Sequence, residues 1–313
     1  MALTRNSDTI VIQSFRKNMI PTWIQRCLDS VKQWARSKGH DYSLAGDEFY
    51  ELCGPEYLKR GSKNPQAITN LARLVATRQR LDAGYQRVIW MDADVFVFDP
   101  ANLVLDFSAE SLTTGYAFGR EVWLFRDASG VIRVTPPMAH NAATFFTRGA
   151  LDLDVLIALI RHIDAKRQLV SNYQVGVNLL RGLQYSLMFP TFSHVAVFSP
   201  ILLRAFAEHD EKVLQLYGRA YRYQSCAGNL GLSQQHEVTE DVLWRAMDYL
   251  EAGAGDAINR YAADTGALVP YNCETSIGEQ SATFNMWSYR AKVILRWVKA
   301  TLGSLTAKRS IFR

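Results

Sequence analysis

Two aspartates separated by one residue, Asp92 and Asp94, stand inside the stretch VIWMDADVFVFDP at 88–100, and a third follows at Asp99. Val88, Ile89, Trp90 and Met91 before them are apolar and β-rich, the composition of a buried strand. A carboxylate carried into such surroundings costs several kcal/mol unless a counter-charge or a metal compensates it. On extended chain alternate positions point the same way, so Asp92 and Asp94 are expected to face one ligand together. No basic residue lies between 88 and 100, so the two carboxylates repel each other. A hard divalent cation such as Mg²⁺ or Mn²⁺ prefers oxygen ligands and removes that repulsion. The competing reading is a solvated turn after a strand, for which Asp99-Pro100 has the composition.

Something must hold this segment at a strand end, and the chain before it supplies the elements. DTIVIQSF (8–15) has the pattern of a buried first strand. After Pro21, the stretch PTWIQRCLDSVKQWARSKG places Trp23, Cys27, Val31 and Trp34 at helical spacing, with Pro21 suited to the first turn and Gly39 to the stop. HDYSLAG reads as a short second strand. GSKNPQ breaks the chain, and AITNLARLVATRQRLDAGY forms another helix with Leu71, Leu74 and Leu81 on its apolar side. Strand, helix, strand, helix, strand is a βαβ series, which predicts a largely parallel sheet covered by helices. Ligands of such sheets gather at the carboxyl ends of the strands, where Asp92 and Asp94 fall.

The segment 71–100, LARLVATRQRLDAGYQRVIWMDADVFVFDP, resembles the nucleotide-sugar glycosyltransferases of the GT-A fold, and most of all glycosyltransferase family eight. That family pairs a helix containing Ala-Arg-Leu with a strand ending in Asp-x-Asp; Ala72-Arg73-Leu74 and Asp92-Ala93-Asp94 match it. HNAATFFTRG (140–149) is similar to the family's Asn-Ala-Gly strand, keeping Asn141 and Ala142 with Ala143 in place of Gly. YQVGVN (173–178) is similar to its Asp-Gln-Asp-x-x-Asn, with Gln174 and Asn178 at the right spacing and both acids replaced. The resemblance spans roughly residues 8 to 200. It implies a GT-A, Rossmann-like α/β fold with helices on both faces of the sheet. The implied glycosyltransferase domain runs over 1–280, nucleotide-binding to about 100 and acceptor-binding from there.

The implied reaction moves a hexose from a nucleotide sugar, UDP-linked in the family's manner, to a glycan or lipid-linked acceptor with retention of configuration. A cation bridging the donor phosphates acts as the Lewis acid for the departing diphosphate. By resemblance Asp94 ligates the metal, and Asp92 ligates it or accepts from the ribose hydroxyls. Arg73 holds Asp92 or the phosphates through its planar fork. Ser14 and Phe15, at the end of the first strand, are where such folds place the base. Asn141 and Gln174 would bond sugar hydroxyls without adding charge, and Gln174 joins the two aspartates as a catalytic candidate. A late histidine is the family's third metal ligand. His194 alternates into an apolar strand and suits the core, His209 lies among charges, and His236, after the loop CAGNLGLSQQ, is the favoured candidate. The family's His-x-x-Gly-x-x-Lys-Pro-Trp ending is absent.

Two other classes are weighed. A sugar nucleotidyltransferase would carry a Gly-rich signature with a basic residue after the first strand; QSFRKN has the basic residues and no glycine. A non-catalytic carbohydrate-binding protein on the same fold has no need of the intact Asp92/Asp94 pair.

The remaining composition narrows the setting. With 313 residues, 48% hydrophobic, the chain can bury a sizeable core. The four cysteines, Cys27, Cys53, Cys226 and Cys273, form no CxxC pair and read as reduced thiols. The beginning MALTRNSDTIVIQSF has no uninterrupted apolar region of the secretory kind, and no run approaches the roughly 20 apolar residues of a membrane span, so a cytoplasmic location is expected. After Glu279 there is no acid, while seven basic residues follow. Setting those seven aside leaves 28 basic residues against 30 acids, a near-neutral body that gives nucleic-acid binding little support. The tail, 281–313, is expected to be a basic amphipathic helix. In 287–313, Lys292, Arg296 and Lys299 form one stripe opposite Ile294, Trp297, Val298, Leu302 and Leu305, a pattern suited to peripheral contact with an anionic membrane.

Overall fold

The apolar run at 9–14 is a strand, β1 (Thr9–Ser14), buried along all but its last residue. The helix after it, α1 (Thr22–Ser37), buries Trp23, Cys27, Val31 and Trp34 on one stripe, the spacing of a helix laid on a sheet. Pro21 is its N-cap rather than a first-turn residue. Gly39, at φ 69°, takes the left-handed conformation just past its end. β2 (Asp41–Ala45), α2 (Pro55–Gly61), α3 (Pro65–Asp82) and β3 (Arg87–Met91) follow. Asn64 caps α3, its side chain accepting from Ala67 N at 3.2 Å, and Pro65 fills the first turn, where its missing N–H is not needed. The structure, a computed structural model, describes residues 7–61, 64–108, 112–166, 175–187, 189–234, 236–262 and 268–269. Gln174 and the tail at 281–313 lie outside the described residues.

The later strands are β4 (Val95–Val97), β5 (Tyr116–Glu121), β6 (Leu124–Arg126), β7 (Ile132–Val134), β8 (Met138–Thr147), β9 (Thr191–Phe192), β10 (Val195–Val197), β11 (Ala227–Asn229) and β12 (Leu268–Val269). Between them run α4 (Asp152–Lys166), α5 (Val177–Leu187), α6 (Pro200–Glu208), α7 (Glu211–Tyr221) and α8 (Glu240–Tyr249). The main sheet has seven strands in the order β12–β9–β5–β8–β3–β1–β2. β1 is parallel to β2 and β3, and β5 to β9. β8 enters between β3 and β5 antiparallel to both, and β12 is antiparallel to β9. Five of the seven strands therefore point one way, and the largely parallel sheet expected from the βαβ series is present with β8 and β12 reversed.

Alternation along the strands loads both faces. Ile10, Ile12, Val88 and Trp90 pack with Leu71 and Leu74 of α3 and Leu153 and Ile160 of α4. Val11, Ile89 and Met91 pack with Val31 and Trp34 of α1. A smaller sheet, β10–β11–β4, has its own core of Phe96, Phe198, Leu203, Phe206, Tyr217 and Leu243 under α6, α7 and α8. β3 belongs to the first sheet and β4 to the second, so the chain passes between them at residues 92–94. Cys27, Cys53 and Cys226 are buried free thiols. Among the described residues no helix is long and apolar enough to cross a membrane.

Candidate active site at the crossing between two sheets

Asp92, Ala93 and Asp94 form a turn, with Val95 N donating to Asp92 O at 3.1 Å. The expectation of alternate positions on extended chain is corrected here. The two side chains are brought together by the turn that moves the chain from β3 to β4, not by strand alternation. Asp99 is the solvated turn residue its sequence suggested, accepting from Asn102 N at 3.3 Å and Asn102 Nδ2 at 2.9 Å.

Asp92 is a quarter exposed, its side chain at 24%. Its Oδ1 accepts from Trp90 Nε1 at 2.7 Å and lies 3.3 Å from Arg73 Nη1. Burial raises its pKa above the ordinary value, opposed by the Arg73 charge and the Trp90 hydrogen bond. Among the described residues Oδ2 receives no hydrogen bond. The main chain of Asp92 is held from both sides: its N donates to Ala142 O at 2.7 Å on β8, and its O accepts from Gln13 Nε2 at 3.1 Å on β1. Gln13 is itself buried and fixed by Tyr42 OH, which donates to its Oε1 at 3.0 Å.

Asp94 is buried, 6% exposed. Oδ1 accepts from Asn229 Nδ2 at 2.6 Å and Oδ2 from Leu232 N at 2.6 Å. Each oxygen keeps a further lone-pair direction. Burial first, and then the neighbouring Asp92 charge, push its pKa up to about 6 against the lowering effect of those donors. That mutual repulsion at short range is the electrostatic condition a divalent cation relieves.

Arg73 reaches the site from α3 across a buried path. Its Nη1 donates to Asn141 O as well as facing Asp92, its Nε donates to Thr69 O at 3.4 Å, and its guanidinium lies 5.6 Å from the Trp90 ring centre. Of the two partners expected for Arg73, Asp92 is within ion-pair distance, with Nη1 3.3 Å from its Oδ1. Asn141, on β8, donates from Nδ2 to Asn70 Oδ1 at 2.9 Å, so its side chain is engaged with α3. Ser14 and Phe15 end β1 on the same sheet edge, since the parallel register sets Ile12 beside Trp90. Phe15 N donates to Ala45 O at 3.0 Å and its ring lies 5.6 Å from the Arg16 guanidinium.

The histidines separate as well. His194 is buried in the bend between β9 and β10, with Val104 N donating to its Nδ1 at 3.2 Å. His209 ends α6 in the left-handed conformation and stacks on Tyr249 at 4.2 Å between ring centres. His236 has a side chain 76% exposed, with Glu237 Oε1 at 3.7 Å from its Nε2. Among the described residues no group of three or more His, Cys, Asp or Glu could hold a metal ion together, so His236 is not brought into a cluster with the aspartates. Among the described residues the oxygen donors at this place are the Asp92 and Asp94 carboxylates, a set that fits Mg²⁺ or Mn²⁺ of the kind that takes one or two carboxylates and completes its shell with water and substrate phosphates.

No family model matches the chain, and no curated protein matches it. Among solved structures it is similar to a glycosyltransferase involved in the glycosylation of the major capsid of PBCV-1. The identity there is 12%, the TM-score 0.40, and the match covers 78% of this chain and 99% of that one. It is also similar to PaToxG glycosyltransferase at 9% identity and TM-score 0.30, covering 84% of this chain and 89% of that one. Neither likeness is close enough to bear on the chemistry, which is read from the site alone.

Proposed function

We propose that this chain is a metal-dependent glycosyltransferase of the GT-A type, akin to glycosyltransferase family eight, transferring a hexose from a nucleotide sugar to a glycan or lipid-linked acceptor. The observation that carries the reading is the Asp92/Asp94 pair. Two mutually repelling carboxylates are held at the carboxyl end of a central strand by Gln13, Trp90, Arg73, Asn229 and the Leu232 amide. Such a pair has little value as structure alone, because burying it costs stability that an apolar or amide pair would not.

Asp92 and Asp94 would hold Mg²⁺ or Mn²⁺, which supplies Lewis-acid neutralisation of the donor's departing diphosphate. Arg73, with Nη1 3.3 Å from the Asp92 Oδ1, keeps that carboxylate oriented, and its charge adds positive potential at the site. Ser14 and Phe15 share the sheet edge with the pair, the place a nucleoside would take in a parallel α/β sheet. Following the resemblance, the donor is UDP-linked and the configuration is retained. The bond from the anomeric carbon to the phosphate oxygen breaks, the acceptor oxygen takes its place, and the acceptor proton passes to the leaving phosphate. No protein base is then required. Gln174 and the tail stretch 287–313 belong to this reading as a sugar-binding amide and a contact with anionic membrane at the cytoplasmic face.

A screen of nucleotide sugars with and without Mn²⁺ tests it. Cation-dependent release of a nucleoside diphosphate is expected; release of pyrophosphate, or no release from any donor, would overturn it.

A further inference from the structure

We infer that Asn229 is a positioning residue for Asp94, orienting a cation-ligating carboxylate that its own sequence neighbourhood leaves unsupported. The inference rests on the metal-dependent reading above and extends it to a segment far along the chain.

Apart from its own main-chain N–H, the Asp94 carboxylate receives no hydrogen bond from the described residues of β3 or β4. Two donors to its carboxylate come from the end of β11 and the turn after it: Asn229 Nδ2 and Leu232 N, each at 2.6 Å, while Leu230 N donates to Asp94 O at 2.9 Å. The orientation of the Asn229 amide is fixed by the network, because its Oδ1 accepts from Gly231 N at 2.9 Å and Nδ2 must then face Asp94. The main chain is equally committed: Asn229 stands opposite Val95 in the antiparallel β4–β11 pair, and its O accepts from Phe198 N at 2.9 Å. Asn229 is itself buried.

An amide at this place has a specific chemical merit. It donates without bringing a charge, so it orients Asp94 and leaves the carboxylate's negative charge available to a cation. A lysine or arginine would neutralise it. Hydrogen bonds to ligating carboxylates commonly set metal affinity in this way. Gly231 completes the device: at φ 73° it turns the chain so that Leu232 N points back at Asp94. A side chain there would meet nothing nearer than 3.9 Å, so the glycine is required by conformation and not by crowding.

The test is Mn²⁺ binding to the full chain, followed by the EPR signal of free Mn²⁺ well below the melting temperature of each variant. Asn229→Ala is expected to bind Mn²⁺ roughly 10- to 100-fold more weakly than wild type. Gly231→Ala, which meets no neighbour but strains the left-handed turn, is expected to bind several-fold more weakly because Leu232 N is re-aimed. A purely structural role would lower melting temperatures and leave the affinity of the folded chain unchanged; that result in Asn229→Ala overturns the assignment. Should Asn229→Ala fail to fold, Gly231→Ala decides in the same way. Wild type that binds no Mn²⁺ would overturn the metal reading itself, and the assignment with it.

Discussion

Asp94 must carry its charge in a place that disfavours it: burial and Asp92 hold its pKa at about 6 against an ordinary 3.8. A ligating carboxylate has to be deprotonated, so Mn²⁺ affinity should climb as pH rises to about 6, change about tenfold per unit below it, and level off above. A Mn²⁺ titration from about pH 5 to 8 measures this, and an affinity flat across that range contradicts a ligating Asp94. Without metal the same group acts in the opposite direction. Its folded pKa lies above its unfolded one, so its contribution to stability is present below about pH 4 and is lost as pH rises through about 6. Arg73→Lys should damage turnover although the charge is kept, since the contacts of Arg73 to Asp92, Asn141 O and Thr69 O need the spread of a guanidinium. The expected loss is about 1 to 3 kcal/mol in donor binding or turnover. Kinetics equal to wild type would reduce Arg73 to a packing residue. At this scale Asp92 and Asp94 stood out by residue type and spacing, and Arg73 only through the resemblance of its Ala-Arg-Leu helix. Asn229 and Leu232 were not, because they sit 135 and 138 positions from Asp94. The Gly- and Asn-rich composition of CAGNLG marks a loop without saying what it loops towards.

β8 is the element that ties the site together, and it does so with a buried histidine. His140 Nδ1 accepts from Ala142 N at 3.1 Å, and Nε2 lies 3.2 Å from Val195 O, so the ring bridges the main sheet to β10. It fits because Gly119 on β5 has no side chain; a Cβ there would overlap the ring. Burial, outweighing the Val195 hydrogen bond, pulls its pKa down to about 3. The folded pKa is below the unfolded one, so the unfolded chain takes up the proton first. Stability from His140 is complete above about pH 6.5 and declines as pH falls towards about 3. Urea denaturation of wild type and His140→Gln across that range should show the variant lacking this part of the acid slope; identical slopes would place the acid sensitivity elsewhere. Up to β3 the strands β1, β2 and β3 and the helices α1 and α3 were readable because helix stripes and strand runs alternate cleanly there, while the short helix α2 was not. The reversal of β8 was not, because HNAATFFTRG mixes apolar and polar residues with no mark of strand direction, and β8 turns out to be buried along most of its length. The smaller sheet escaped for a related reason: β4, β10 and β11 are three residues each, too short to show a period.

For the whole molecule, the proposed reading assigns location to the basic end at 287–313, set against a near-neutral body. Several cations near an anionic surface, each contributing about 1 kcal/mol, give reversible and salt-sensitive attachment. Full-length chain carrying Lys292→Glu, Arg296→Glu and Lys299→Glu should therefore lose sedimentation with anionic liposomes at low salt while keeping donor hydrolysis. Equal sedimentation of wild type and variant would remove the membrane from the account. The central claim, that Asp92 and Asp94 hold the cation on which sugar transfer depends, is tested most directly by titrating Mn²⁺ against nucleotide-sugar hydrolysis in wild type and Asp94→Asn side by side, with melting temperatures recorded for both. Wild type is predicted to rise from baseline to a saturating rate, release nucleoside diphosphate and return to baseline when the cation is chelated, while folded Asp94→Asn stays at baseline throughout. Hydrolysis by wild type that ignores the cation, or an Asp94→Asn curve that follows wild type, would contradict it.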